Sequence, residues 1–193
     1  VTPRNSAARR EELLDAGVDY VLEHGLAQLS LRPLARALGT SDRMLVYHFQ
    51  SKDALVAALL LRAVERLGAV LLGRIQPKGR GGDPGSVVQQ LWDAMREPDT
   101  TPYIRLFFEV YGLSFPDPAA YRPVVQQVVE AWIALVEQLL LQAGVPRRRA
   151  PRTAALVVAA IEGLVLAEHA LGDDPRLANA LRDLKKIARA AGD

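Results

Sequence analysis

Apolar residues return every third and fourth position along nearly the whole chain, and no sustained period-two alternation interrupts them. That pattern confines the fold to the all-α class, so the punctuation between helical stretches carries the remaining information. Leu13, Leu14, Val18, Val21 and Leu22 form one stripe between Arg9 and His24, and Gly25 supplies a stop. Ser30 is placed to cap a short helix whose Leu34, Ala35 and Leu38 point one way, with Pro33 still in the first turn and Gly39 at its end. Thr40 and Ser41 then offer a new N-cap for Asp42 to His48, where Leu45 and Phe49 serve the core. Ser51 caps again, and a long run through Ala54, Leu55, Ala58, Leu59, Val64 and Leu67 leads towards Ile75. Pro77 to Gly85 is too rich in Gly and Pro for regular structure and reads as a mobile loop. Further helices are expected near 86–96, 101–114, 119–143, 148–171 and 176–191, separated by Pro- and Gly-containing breaks.

With 193 residues, half of them hydrophobic, the chain has enough apolar material for a small domain joined to a larger one. The expected division is residues 1–53 and 54–193. The absence of cysteine removes disulfides, thiolate metal sites and thiol nucleophiles together, and suits a reducing cytoplasm. Val1 to Arg10 lacks the apolar core of a secretory signal. The longest uninterrupted apolar stretches, Ala54 to Leu61 and Ala154 to Ile161, are shorter than the roughly 18 residues of a membrane span, so no membrane association is expected.

Net charge is only +2, but its distribution is uneven. Arg4, Arg9 and Arg10 precede an acidic stretch of Glu11, Glu12, Asp15, Asp19 and Glu23, after which Arg32, Arg36, Arg43 and Lys52 face a single acid, Asp42. Two basic stretches flanking an acidic helix converge on one polyanion if the chain folds back; solvated surface charge is the plainer alternative. Two short helices joined at a glycine turn and packed on a preceding amphipathic helix form the arrangement in which the second helix enters a DNA major groove. Here that helix offers Asp42, Arg43 and Tyr47 on its polar side.

The segments Ser30-Leu-Arg-Pro-Leu-Ala-Arg-Ala-Leu-Gly39, Thr40-Ser-Asp-Arg-Met-Leu-Val-Tyr-His-Phe49 and Ser51-Lys-Asp-Ala-Leu55 together resemble the DNA-binding region of TetR-family transcriptional regulators, over roughly residues 9–60. The resemblance implies a three-helix head with a helix-turn-helix, followed by a larger helical bundle for ligand binding and dimerisation. It implies DNA contacts by Ser30, Arg32, Ser41, Asp42, Arg43, Tyr47, His48 and Lys52. Ser30 either donates to a phosphate or caps its helix, and Arg32 suits a base or phosphate. Arg43 is the leading base reader; Asp42 either caps or accepts from cytosine. Tyr47 offers its hydroxyl to phosphate or its ring edge to a thymine methyl, His48 serves the backbone or the protein interior, and Lys52 clamps phosphate beside a helix N-terminus. Two positions depart from the family pattern: Val46 stands where many members carry a phosphate-binding Tyr, and Arg43 where many carry a small residue.

The final helices carry two apolar stripes, Leu156, Ala160, Gly163, Leu164 and Ala167, then Leu177, Leu181 and Leu184. Given the resemblance, these are expected to pair with a two-fold mate as a homodimer on a roughly palindromic operator, with reading helices about 34–36 Å apart. Trp92, Tyr103, Phe107, Phe108, Tyr111, Phe115 and Trp132 concentrate in the middle helices and suit either an apolar effector cavity or a filled core. Glu162 and His169, seven apart on one helix face, are candidate polar contacts in such a cavity. No cofactor or metal is expected, since three His and no Cys give no zinc set and no H-E-x-x-H or G-x-S-x-G element occurs; an enzyme is the remote alternative. The expected activity is ligand-responsive repression of transcription, released by a small apolar or amphipathic effector. The alternative is a helical small-molecule carrier or interaction module without DNA binding.

Overall fold

The computed structural model describes residues 3–27, 29–76 and 82–192. Among them it contains nine helices and no strand: α1 (Pro3–His24), α2 (Leu31–Ala37), α3 (Asp42–Phe49), α4 (Lys52–Arg74), α5 (Pro84–Met95), α6 (Thr101–Ser114), α7 (Pro118–Gln142), α8 (Ala150–Leu171) and α9 (Pro175–Gly192). The all-α reading therefore holds, and the helix breaks fall at Gly or Pro residues except between α3 and α4, where Gln50 takes the positive φ. The expected irregular segment of Pro77 to Gly85 does not extend to Gly85, which is helical. Residues 77–81 lie outside the described residues, while Asp83 already caps α5, its carboxylate accepting from the Gly85 N–H at 2.9 Å, and Pro84 takes the first turn.

The chain divides into two compact units, Val1–Leu67 with Pro102–Val128, and Gly68–Thr101 with Val129–Asp193. Compactness thus groups α6 and the start of α7 with the amino-terminal helices, a different partition from a cut after residue 53. In the first unit the core gathers Leu13, Val18, Val21, Leu34, Leu45, Leu55, Leu59 and Leu106. The acidic stripe of α1 has a local purpose: Arg66 of α4 donates to Asp19 at 2.7 Å, and Arg62 reaches Glu11 and lies 3.6 Å from Asp15. Carboxylates four apart on one helix meet guanidinium groups four apart on another, so this acidity belongs to packing between α1 and α4.

In the second unit α5, α8 and α9 pack together over Val87, Leu91, Val157, Ile161, Leu184 and Ala188. Arg189 holds the α5 cap residue Asp83 with two bonds of 2.8 and 2.7 Å. Arg149 donates to the carbonyls of Ala190 and Ala191, which supplies partners for the C-terminal end of α9.

One expectation needs correction. Counting only uninterrupted apolar runs understated the hydropathy of α7 and α8, which both reach the length and composition of a membrane-crossing helix, with mean hydropathies of 1.4 and 1.8. Only 33% and 28% of those windows is fully buried within the chain; the exposed positions of α7 are mostly polar or small, whereas α8 leaves Leu156, Leu166 and Leu171 exposed.

Candidate nucleic-acid interface

The turn between α2 and α3 is built by backbone hydrogen bonds that Gly39 makes possible. Its φ of +61° lets the Thr40 N–H reach the Ala35 carbonyl at 2.9 Å while its own N–H reaches the Arg36 carbonyl at 3.2 Å. This is a Schellman closure, and it reverses the chain within three residues. Ser41 then caps α3, its Oγ accepting from the Met44 N–H at 3.2 Å. Accepting there leaves the hydroxyl proton of Ser41 available to a phosphate. Asp42 is the first helical residue instead of the cap, with its carboxylate accepting from the Arg43 N–H at 2.9 Å.

Leu45 and Phe49 are buried and fix α3 to the head, with the Arg10 guanidinium 4.9 Å above the Phe49 ring. The opposite side of the helix carries Arg43 and Tyr47, both exposed, Tyr47 at 68%. His48 is half-buried, its ring edge-on to Tyr47 at 5.1 Å. Arg32 projects from α2 with its side chain 87% exposed and its Nε 3.7 Å from the Asp42 carboxylate. An exposed pair at that distance is worth little, so it does little to hold the Arg32 guanidinium in place. Ser30 precedes α2 without a side-chain cap bond, which weighs against the purely capping role. Lys52 is exposed at the start of α4, where Ser51 caps by accepting from the Ala54 N–H at 3.0 Å. The residues read from the sequence as a DNA surface therefore gather on α2, α3 and the first turn of α4.

Sequence reasoning missed the support behind this surface. Glu109 of α6 accepts from the Leu26 N–H with both carboxylate oxygens at 2.9 Å and also takes the Ala27 N–H, in the loop leading to α2. Arg105, one turn earlier, donates to the carbonyls of Leu22 and Glu23 at the end of α1. The signal was a carboxylate inside the apolar run Ile104 to Val110, which reads as an ordinary helix interruption until its partners are seen. Gln50, with φ of +70°, was likewise unforeseen as the C-cap of α3.

The aromatic set divides between the two units. In the first, Tyr103 and Phe107 are core residues, and Phe108 and Tyr111 are half-buried with rings edge to face at 6.3 Å; Phe115 is exposed. In the second, Trp132 is buried and Trp92 lines a cleft of about 310 Å³ with Arg96, Glu168, Leu177, Leu181 and Lys185, a mixed polar and apolar lining. Glu162 is partly buried, whereas His169 is exposed. Of the expected dimer stripes, Leu164, Leu181 and Leu184 are buried within their own unit and belong to its core. Leu156 and Gly163 are exposed, Ala160, Ala167 and Leu177 are half-exposed, and Leu166 and Leu171 extend the open apolar face of α8.

A short helix presented outward by a glycine turn, with basic side chains at its start and at the next helix, defines a helix-turn-helix DNA-binding protein. Residues 13–59 match the family model of bacterial regulatory proteins of the tetR family, and residues 86–183 match the C-terminal domain of LmrA/YxaF-like transcriptional regulators. The chain belongs to the TetR family of transcriptional regulators. It is 28% identical to the HTH-type transcriptional repressor Rv1474c of Mycobacterium tuberculosis, over 95% of this chain and 94% of that one. The solved structure of SCO7518 from Streptomyces coelicolor A3(2) is 27% identical with a TM-score of 0.70, covering 93% of this chain and 98% of that one. The multidrug binding protein EbrR, complexed with imidazole, is 26% identical with a TM-score of 0.71, covering 96% and 93% respectively.

Proposed function

We propose that this regulator is a repressor which binds a roughly palindromic operator as a homodimer in the cytoplasm and leaves it when a small apolar or amphipathic effector binds. The observation that carries this reading is the outward face of α3, where Arg43 and Tyr47 stand exposed while Leu45 and Phe49 anchor the helix from behind. Arg43 reads bases; Ser30, Ser41, His48 and Lys52 hold phosphates; Arg32 serves either, and Tyr47, beside Arg43 on the outward face, meets the base edges. The functional boundary falls near residue 53, where the reading head gives way to the bundle. The repressor relative supports the sign of the regulation.

Dimerisation is assigned to the open apolar face of α8, Leu156, Gly163, Leu166 and Leu171, which otherwise leaves a long apolar stripe in water. The multidrug binding relative supports a small organic effector. Within the first unit, α6 carries both the candidate effector contacts Phe108 and Tyr111 and the Arg105 and Glu109 groups that hold the approach to α2. An effector that displaces α6 thereby biases the head between two states, and a coupling of about 1–3 kcal/mol gives a 5–150-fold response.

Fluorescence anisotropy with labelled genomic fragments, titrated against salt, tests the reading. A regulator binds selected fragments with a steep negative slope of log affinity on log salt. Indifference to every fragment, or a monomeric mass by light scattering, refutes it.

A further inference from the structure

The side chains of α3 divide its surface into three sectors. Leu45 and Phe49 face the protein; Arg43 and Tyr47 lie on the side directly away from it. At 100° per residue, Met44 and Val46 fall on either shoulder of that outward face, about 80° to each side of its centre. Both are 41% exposed, so an apolar side chain stands on each shoulder of a helix whose outward centre is polar.

A helix in the major groove turns its centre to the base edges and its shoulders towards the groove walls. Groups there are of two kinds, phosphate oxygens and the outer edges of bases. Phosphates require donors, and neither Met44 nor Val46 has one; covering a phosphate with a thioether or an isopropyl group removes its water without return. The apolar group that the major groove of ordinary DNA offers is the thymine C5-methyl, which lies on the side of the base nearest its own strand's backbone. Shoulder positions and thymine methyls therefore coincide.

Resting on the DNA-binding reading above, we infer that Met44 and Val46 are specificity-determining residues that read thymine methyl groups on opposite strands, flanking the base pair taken by Arg43. Each half-site carries a central pair contacted by the Arg43 guanidinium, with a thymine on one strand to one side and on the other strand to the other. A 5-methylcytosine presents the same methyl with a different edge and is a partial substitute at these positions.

The test uses the full-length protein and synthetic duplexes of the operator obtained by selecting bound genomic fragments. Thymines are replaced one at a time by uracil, which removes the methyl and nothing else. Losing one methyl contact is expected to weaken binding about fourfold at two positions per half-site and to leave the others unchanged. In M44A the uracil effect disappears at one of the two positions, and in V46A at the other. Both residues are exposed, so the variants retain the fold, checked by circular dichroism. If uracil is tolerated everywhere while salt-sensitive, sequence-selective binding persists, this inference fails and the regulator reading stands. It also fails if the uracil penalty survives in both variants, since another group then holds the methyls. Absence of selective binding to any fragment overturns the regulator reading itself.

Discussion

Glu109 is the group on which the loop before the reading head depends, and the structure sets the size of its contribution. Its carboxylate serves two backbone N–H groups, those of Leu26 and Ala27. Leu26 is buried and Ala27 exposed, so removing the carboxylate strands the first N–H and hands the second to water. A buried backbone donor without a partner costs about 1–3 kcal/mol, and the exposed one adds little. Glu109→Ala is therefore expected to lower stability by about 1–3 kcal/mol, read as a fall in urea midpoint at unchanged slope. Gly25 supplies an internal control. Its φ of +79° is unfavourable to any side chain, and a Cβ there meets a Glu109 carboxylate oxygen at 2.9 Å. Gly25→Ala thus combines backbone strain of about 1–2 kcal/mol with a steric conflict in the native background, but strain alone in the Glu109→Ala background. The second substitution must cost less when the first is present. Equal costs in both backgrounds, or a Glu109→Ala effect below about 0.5 kcal/mol, refutes the argument.

Three further outcomes follow from the same geometry. Arg43→Ala relaxes preference at one base position in each half-site by about 1–3 kcal/mol, while Lys52→Ala weakens all sequences alike and shallows the salt slope by about one per protomer; a changed base preference in Lys52→Ala contradicts its phosphate role. The Asp83 carboxyl is held below its ordinary value by the Arg189 guanidinium and, after opposing desolvation, by the Gly85 N–H. A lowered folded-state pKa means stability that is present above about pH 3.9 and lost as pH falls through the folded value, so Asp83→Asn flattens acid unfolding in that range, measured by ellipticity. Leu166→Lys on the open face of α8 yields a monomer by light scattering with a folded spectrum; an undisturbed dimer places the interface elsewhere.

The fold was legible because each break was local chemistry. Gly25 and Gly39 act through backbone preferences that a sequence states openly, and the stripe of Leu13, Val18 and Val21 fixes a buried face by spacing alone. The helix-turn-helix segment was legible for the same reason, since Ser41 to Lys52 is short and contiguous. Residues joined only by folding were not: Glu109 lies 83 positions from Leu26, and nothing in the periodicity of α6 announces that its carboxylate is spoken for. Burial within the stripes of α8 and α9 was equally hidden, because Leu164 and Leu156 have the same chemistry and differ only in which neighbour arrives. Arg62 and Arg66 hid the purpose of the acidic stretch in the same way.

That last pairing shapes what a distant polyanion senses. Left alone, the carboxylates of Glu11, Asp15 and Asp19 would repel an approaching duplex from the very unit meant to dock. Matched in place by the guanidinium groups of Arg10, Arg62 and Arg66, they fade into multipoles that screening extinguishes beyond about 8 Å at physiological ionic strength. With that acidity paired off, the exposed cations Arg32, Arg43 and Lys52 set the sign of the surface that a duplex meets.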